Sequence, residues 1–185
     1  MSTSPIEVVE VPRVEVLRAG LLRSLAVLPG LLRSLLLMAE RVVLFICVEN
    51  SCRSLMAESV FNADPPSGWI ARSAGTQPSS SPNPRTAAML SEIGRAMPPH
   101  PPQLLTPEMM DGASVRVTMG CLDDASCPAR LKTLELVDWA LEDPGTLDDV
   151  GFRRVRDLIV DRVTRLRTEL LLRNRRSATW SPKAG

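Results

Sequence analysis

The chain has 185 residues, 44% hydrophobic and 23% charged, with 22 Lys and Arg against 21 Asp and Glu, four Cys, one His and no Tyr. That length accommodates one ordinary globular domain plus some extra chain, since a single core organises roughly 100–200 residues. A net charge of +1 and 3% aromatic residues supply neither the clustered basic face nor the stacking platform that nucleic-acid binding draws on. A lone histidine weakens any mechanism built on a histidine cluster, and four cysteines are too few for a disulfide scaffold. With no secretory signal, the cysteines read as free, reactive or metal-binding thiols in a reducing cytoplasm.

Residues 1–40 differ from the rest, being dominated by Leu, Val and Arg, with Leu-Leu-Arg-Ser-Leu at Leu21–Leu25 and again at Leu31–Leu35. Pro29-Gly30 divides the stretch into two short amphipathic helices, whose apolar faces are Leu17, Leu21, Leu25 and Leu28, then Leu31, Leu32, Leu35 and Leu36. Arg23 and Arg33 argue against a transmembrane span, because each would cost about 2.5–3.5 kcal/mol at the bilayer centre. Glu7, Glu10 and Glu15 stand where a signal peptide would be basic. The segment is expected to be an N-terminal helical extension that packs on the domain or on a partner, self-association included. Attachment to a membrane surface and a misassigned start remain as alternatives.

Arg41–Cys47 is a continuous apolar run rich in β-branched residues, as expected of a strand buried on both faces. A helix is predicted from Arg53 to about Asn62, ended by Pro65, Pro66 and Gly68, and then a strand over Trp69–Ser73. A Gly, Ser and Pro loop runs from Gly75 to Pro84, before a helix from Arg85 to about Ile93 and the non-helical, proline-rich Met97–Pro102. Val115–Met119 and Leu134–Asp138 read as two more strands, and Phe152 to about Leu172 as a long amphipathic helix buried through Val155, Ile159, Val163 and Leu166. Nine arginines between Arg153 and Arg176 are expected on its other side and its end. Strands alternating with helices imply βαβ units and a parallel sheet covered on both faces. The domain is thus set at 41–173, with a tail from Asn174 to Gly185, polar apart from Trp180, expected to be disordered.

The sharpest feature is Cys47-Val48-Glu49-Asn50-Ser51-Cys52-Arg53-Ser54, a Cys-x5-Arg loop placed where a buried strand ends and a helix begins. Such a turn points several backbone N–H groups into one concavity, and the helix N-terminus adds partial positive charge, so a tetrahedral oxyanion fits there. The same field favours a thiolate, the nucleophilic form of cysteine. Arg53 closes the cradle, because its planar fork holds two oxygens of the anion and the charge that develops on them. By itself the spacing is weak, since a buried cysteine near a surface arginine arises by chance in many proteins.

The wider context is specific. The run Val43–Glu58, Val-Leu-Phe-Ile-Cys-Val-Glu-Asn-Ser-Cys-Arg-Ser-Leu-Met-Ala-Glu, resembles the signature of the low-molecular-weight tyrosine phosphatase superfamily, especially its arsenate reductase branch. The resemblance continues through Ser73-Ala74-Gly75, Asn83-Pro84, His100, Val117-Thr118-Met119-Gly120-Cys121, Cys127-Pro128 and Trp139-x-x-x-Asp143-Pro144, and spans about Val42 to Leu172. It implies an α/β three-layer sandwich, phosphotyrosine phosphatase I-like, with a four-stranded parallel sheet flanked by helices. It further implies that Cys47 attacks arsenate, that Cys121 forms a disulfide with Cys47 as arsenite leaves, and that Cys127 exchanges to leave a Cys121–Cys127 pair for thioredoxin to reduce. An exchange chain of this kind needs accessible thiols, which suits a loop rich in Asp, Ala and Ser. Five residues separate Cys121 from Cys127, one fewer than in the arrangement typical of that branch, and Gly120 precedes the pair. Away from the resemblance, the two thiols read as inert or as a zinc pair, the latter a poor site because zinc normally wants four ligands and His100 is the sole imidazole.

Asp143-Pro144 matches the family's general acid, which stands opposite the nucleophile and protonates the leaving oxygen. Asp-Pro-Gly also starts turns without any catalytic role. Asn50 and Ser73 match residues that support the loop, and with Glu58 they match part of a potassium site of some arsenate reductases, whose aspartate position falls near Gln103. Otherwise the resemblance implies no tightly bound cofactor or metal. Glu49 stands where glycine is common, and a carboxylate at the rim repels an oxyanion unless it faces solvent. Cys52 reads as a packed thiol, with a disulfide to Cys47 on oxidation as the alternative, and His100 as a packing or capping residue of the proline-rich turn. The competing activity is hydrolysis of phosphate monoesters through a Cys47 phosphocysteine. Phosphatases of this fold usually carry tyrosines after the Asp-Pro pair, where this chain has Pro144-Gly145-Thr146. A non-enzymatic oxyanion sensor is the third reading, against which stand the intact Cys47, Arg53 and Asp143.

Overall fold

Alternation along Arg41–Cys47 makes this segment (β1) the centre of the sheet, because both of its faces are apolar. In a computed structural model, which describes residues 40–120 and 136–179 with side chains through 174, Val43, Phe45 and Cys47 enter one core and Leu44 and Ile46 another. Residues 1–39 of the extension, Cys121, Cys127 and the last residues from Trp180 lie outside this description.

The sheet has the order β2-β1-β3-β4, all parallel, with β2 at Trp69–Gly75, β3 at Ala113–Thr118 and β4 at Val137–Asp138. Parallel neighbours require crossovers, and helices supply them. Helix α1 (Arg53–Asn62) links β1 to β2, while α2 (Pro84–Ser91) and α3 (Pro107–Gly112) lie between β2 and β3. Because β2 and β3 flank β1 on opposite sides, the chain reverses its order there, and a crevice opens beyond the carboxyl end of β1. Helix α4 (Asp149–Thr179) follows a 3₁₀ turn at Pro144–Thr146.

The larger core joins Phe45, Met56, Phe61, Leu90, Trp139, Phe152, Ile159 and Val163, and so holds α1, α2 and α4 on one face of the sheet. Phe45 meets Phe61 edge-on at 6.2 Å and Trp139 at 5.5 Å between ring centroids. The smaller core, Leu44, Ile46, Ala74, Leu105, Met110 and Ala113, seats α3 on the opposite face. Three layers result, as expected.

Several boundaries differ from the sequence reading. Helix α3 went unread because it is only six residues long, begun by Pro107 with Thr106 Oγ1 accepting from Met109 N–H at 3.3 Å. Strand β2 runs on to Gly75, since Gly75 pairs with the chain at Gln103–Leu105 on its free edge. The tail assigned as disordered from Asn174 is helical through Thr179, and Asn174 itself donates to Ser67 O at 3.2 Å. Not all of the arginines face outward either. Arg156 is buried at 6% exposure, donating to Met89 O, Glu92 and Asp157, and so fastens α4 to α2. Hydrogen bonds from Arg153 and Arg156 hold the Glu92 carboxyl down at about 2. No helix among the described residues is long and apolar enough to cross a membrane.

Phe61 is fully buried at the junction of α1 with β1. Phe61→Ala should lower stability by about 3–5 kcal/mol, measured as a fall in the denaturant midpoint at unchanged m-value.

Candidate active site

The turn from β1 into α1 has to dispose of several backbone carbonyls in a buried place. It turns them outward, onto the chain that follows β2. Cys47 O accepts from Thr76 N–H at 3.1 Å, Val48 O from Gln77 N–H at 2.9 Å, Glu49 O from Ser79 N–H at 3.0 Å and Ser51 O from Asn83 N–H at 3.1 Å. Thr86 Oγ1 adds a second bond to Ser51 O at 3.0 Å. Carbonyls that face out leave the N–H side of such a turn for the concavity, and Asn50 N–H does point in, to Cys47 Sγ. Gly75 is where the two segments touch: a Cβ there would lie 2.4 Å from Val48 O and 2.9 Å from Asn50 N.

Cys47 lies at the floor, 2% exposed, with Asn50 N–H donating to its Sγ at 3.1 Å and Ser54 Oγ at 3.0 Å. Asn50 adopts φ 51°, a left-handed conformation that asparagine tolerates. Its Nδ2 donates to Ser54 Oγ at 2.8 Å and Ser73 Oγ at 2.9 Å, and its Oδ1 accepts from Gln103 N–H at 2.9 Å. Helices α2 and α3 begin with a capping side chain and a proline, whereas α1 begins at Cys52 with no side-chain cap. Its first amides are therefore left for a ligand, at the end where the helix dipole is positive.

Arg53, 7% exposed, donates through Nη1 to Leu141 O at 3.1 Å and meets Asp143 Oδ1 through Nη2 at 3.4 Å. Its Nε is buried without a hydrogen-bond partner among the described residues. An orphaned guanidinium donor beside uncapped amides and a thiol is what a bound oxyanion would satisfy. Asp143 is half exposed, and its Oδ1 also accepts from Gly145 N–H at 3.1 Å, so Asp-Pro-Gly does form a turn, and that turn sets the carboxyl beside Arg53.

The remaining loop residues sort by contact. Cys52 is packed, and burial pushes its thiol pKa up against hydrogen bonds from Thr86 and Ser51. Val48 is half-buried, while Glu49 is exposed, with its Oε2 accepting from Ser51 Oγ at 3.0 Å. Behind the loop, Ser73 Oγ donates to Glu58 Oε2 at 2.6 Å, and His100 Nε2 lies 3.0 Å from both Glu58 oxygens. Partial burial opposes the charged imidazole, but the Pro101 carbonyl and Glu58 outweigh it and the His100 pKa is raised. Gln103 Nε2 donates to Ser73 O at 2.8 Å. The potassium site expected in part from sequence does not fit this arrangement: N–H donors from His100 and Gln103 already meet the oxygens of Glu58, Asn50 and Ser73.

Cys47 and residues 48–54 form one turn, in which Asn50 and Ser54 contact the Cys47 thiol and Arg53 meets Asp143, while Cys121 and Cys127 lie outside the described residues. Gly120, just before them, has φ 74°, and a Cβ there would meet Ala140 Cα at 2.3 Å, so glycine is required where β3 leaves the sheet. Sequence reading missed Arg85 and Thr86, and it marked Gln103 only as the place of an expected aspartate, because their roles depend on contacts made across the chain.

The model of the low molecular weight phosphotyrosine protein phosphatase family matches residues 42–176. The chain belongs to that family. Among curated members, it is 32% identical to arsenate reductase 1 of Staphylococcus epidermidis over 122 residues, which cover 66% of this chain and 92% of the relative. Among solved structures of the family, a thioredoxin-dependent arsenate reductase of Corynebacterium glutamicum superposes with a TM-score of 0.60 at 31% identity, covering 72% of this chain and 63% of that one. A low molecular weight protein tyrosine phosphatase from T. tengcongensis superposes with a TM-score of 0.54 at 25% identity, over 69% of this chain and 97% of its own. Both activities are thus represented on this fold.

Two outcomes follow from the geometry. Gly75→Ala should displace the anion loop, costing about 1–3 kcal/mol in denaturant unfolding and weakening phosphate binding measured by calorimetry. Because the His100 pKa is raised by folding, the stability it contributes is complete below the ordinary imidazole value of about 6.5 and is lost as pH rises through the raised one. The Tm advantage of the parent over His100→Asn should accordingly be largest in mild acid and shrink on the alkaline side.

Proposed function

We propose that this protein reduces arsenate to arsenite. The observation that carries the reading is the convergence of Cys47, the uncapped start of α1, the orphaned Nε of Arg53 and the Asp143 carboxyl beyond the end of β1. Its likeness to relatives named arsenate reductases supplies the substrate class.

In the first step the Cys47 thiolate attacks As(V), and one arsenate oxygen departs as water with a proton from Asp143. The amides of 48–53 and the Arg53 fork hold the remaining oxygens and the charge they gain in the transition state. Cys121 then attacks Cys47 Sγ: an S–S bond forms, the S–As bond breaks, and its electron pair stays on arsenic, which leaves as As(III). Attack of Cys127 on Cys121 releases the Cys47 thiolate and leaves a Cys121–Cys127 disulfide. A dithiol donor of the thioredoxin type reduces that disulfide and is itself oxidised. Both thiol steps rest on the family resemblance and on the presence of the two cysteines in sequence. Hydrolysis of a phosphocysteine by water is the competing fate of the same loop and acid. Pro144-Gly145-Thr146 after the acid, with no aromatic ring to stack on a phenol, favours the reductase.

The test is arsenate-dependent NADPH oxidation with thioredoxin and thioredoxin reductase, beside hydrolysis of an aryl phosphate. Cys47→Ser should abolish both. Cys121→Ser and Cys127→Ser should lose arsenate turnover and keep any ester hydrolysis. Undiminished arsenate turnover in Cys121→Ser would remove the relay, and ester hydrolysis without any arsenate turnover in the parent would assign a phosphatase.

A further inference from the structure

We infer that Arg85 is a positioning residue for Asp143, fixing the acid-bearing turn relative to the nucleophile loop; the inference rests on the reading of Asp143 as the proton donor. Arg85 is the second residue of α2, and its guanidinium reaches across to the turn that follows the acid. Nη2 donates to Pro144 O at 3.2 Å and Gly145 O at 3.1 Å, and Nη1 donates to Leu147 O at 2.7 Å. The same group pairs with Asp149 Oδ1 at 3.4 Å and lies 4.9 Å from the centroid of the Phe152 ring. Three carbonyls of one short turn thus converge on one planar fork, which a lysine ammonium cannot reproduce.

The neighbours of Arg85 give the clamp its meaning. Asn83 N–H and Thr86 Oγ1 both bind Ser51 O in the nucleophile loop. The first turn of α2 therefore grips the nucleophile loop with residues 83 and 86 and the acid turn with residue 85. Asn83 Oδ1 caps this turn by accepting from Arg85 N–H at 3.0 Å, and Pro84 at the first helical position stiffens it. One rigid bracket consequently spans the two parts whose separation decides whether the acid reaches the leaving oxygen. Among the described residues Arg53 also reaches this stretch, at Leu141 O and Asp143 Oδ1, and Arg162 bonds Trp139 O and Arg154 pairs with Glu142 upstream of the turn, whereas Arg85 takes the carbonyls that follow the acid. Without Arg85 the segment from Asp143 to Leu147 keeps its internal bonds, Gly145 N–H to Asp143 Oδ1 and Leu147 N–H to Pro144 O, but loses its tie to α2. Misplacement by a fraction of an ångström should slow proton transfer while leaving anion binding, which belongs to the amides and Arg53, in place.

The experiment is a double-mutant cycle on kcat with arsenate, repeated on an aryl phosphate, in Arg85→Gln, Arg85→Lys, Asp143→Asn and the combined Arg85→Gln/Asp143→Asn protein, with Tm recorded for each. Asp143→Asn should lower kcat about 100-fold or more, the range for removal of a general acid. Arg85→Gln should lower kcat about tenfold with KM changed less than about twofold, and should cost less than about twofold once Asp143 is already Asn. Arg85→Lys should fall between, and it carries the cycle if the Gln variant does not fold. A tenfold loss that persists undiminished in the Asp143→Asn background, or one that falls on KM, would overturn the positioning role. Parent-like turnover in Asp143→Asn would instead overturn the acid assignment, and the inference would fall with it.

Discussion

Everything at the carboxyl end of the sheet depends on where the carbonyls of the 47–51 turn go. Buried backbone oxygens need partners, and if they found them inside the concavity there would be no room for an anion. The chain from Thr76 to Thr86 takes them from outside, one after another, and leaves the inner side of the turn to N–H groups such as that of Asn50, which donates to Cys47 Sγ. Several otherwise separate features answer to this one requirement. Strand β2 has to end on a glycine, the loop after it has to run alongside the turn, and α2 has to start where Asn83 and Thr86 meet Ser51 O.

Much of this was readable in advance because it is written in short-range pattern. The apolar run of β1 and the helical period of α4 set the layers, and Cys47-x5-Arg53 points to an oxyanion cradle once it stands at a strand-to-helix turn among its flanking motifs. Asp143 is different. Its sequence neighbourhood says only that a turn begins, and its placement 3.4 Å from Arg53 depends on β3, β4 and the 3₁₀ turn being assembled first. Arg156 and Arg85 were misjudged or missed for a related reason. An arginine on a charged helix or in a polar loop looks like any solvated cation until the partner carbonyls of Met89, Pro144, Gly145 and Leu147 are brought within reach by packing. The same holds for Gln103, whose amide replaces an expected aspartate and changes the chemistry behind the loop from ligand oxygens to N–H donors.

Fold and activity separate cleanly in this family. In the reaction proposed above, a thiol in an amide cradle with an arginine and a carboxylic acid attacks a tetrahedral oxyanion, a first half that would serve reductase and phosphatase alike. The difference lies in what approaches the covalent adduct next, a thiol or water. In this chain the residue leading to Cys121 and the residues leading to Asp143 pass each other at Gly120 and Ala140, backbone against backbone. The two halves of the proposed reaction are thereby launched from a single crossing of the chain, which no side chain at position 120 would permit.

Helix α1 is buried from Arg53 to Phe61 on every side. Exposed basic patches draw anions through water and lose their grip as salt rises, because the screening length falls to about 8 Å at physiological ionic strength. Here the positive end of a helix enclosed by protein and a guanidinium 7% exposed face the site, with protein and not water on their other sides. A chain of almost no net charge can therefore hold an oxyanion through local dipoles and one buried guanidinium, which salt screens less than it would a surface patch.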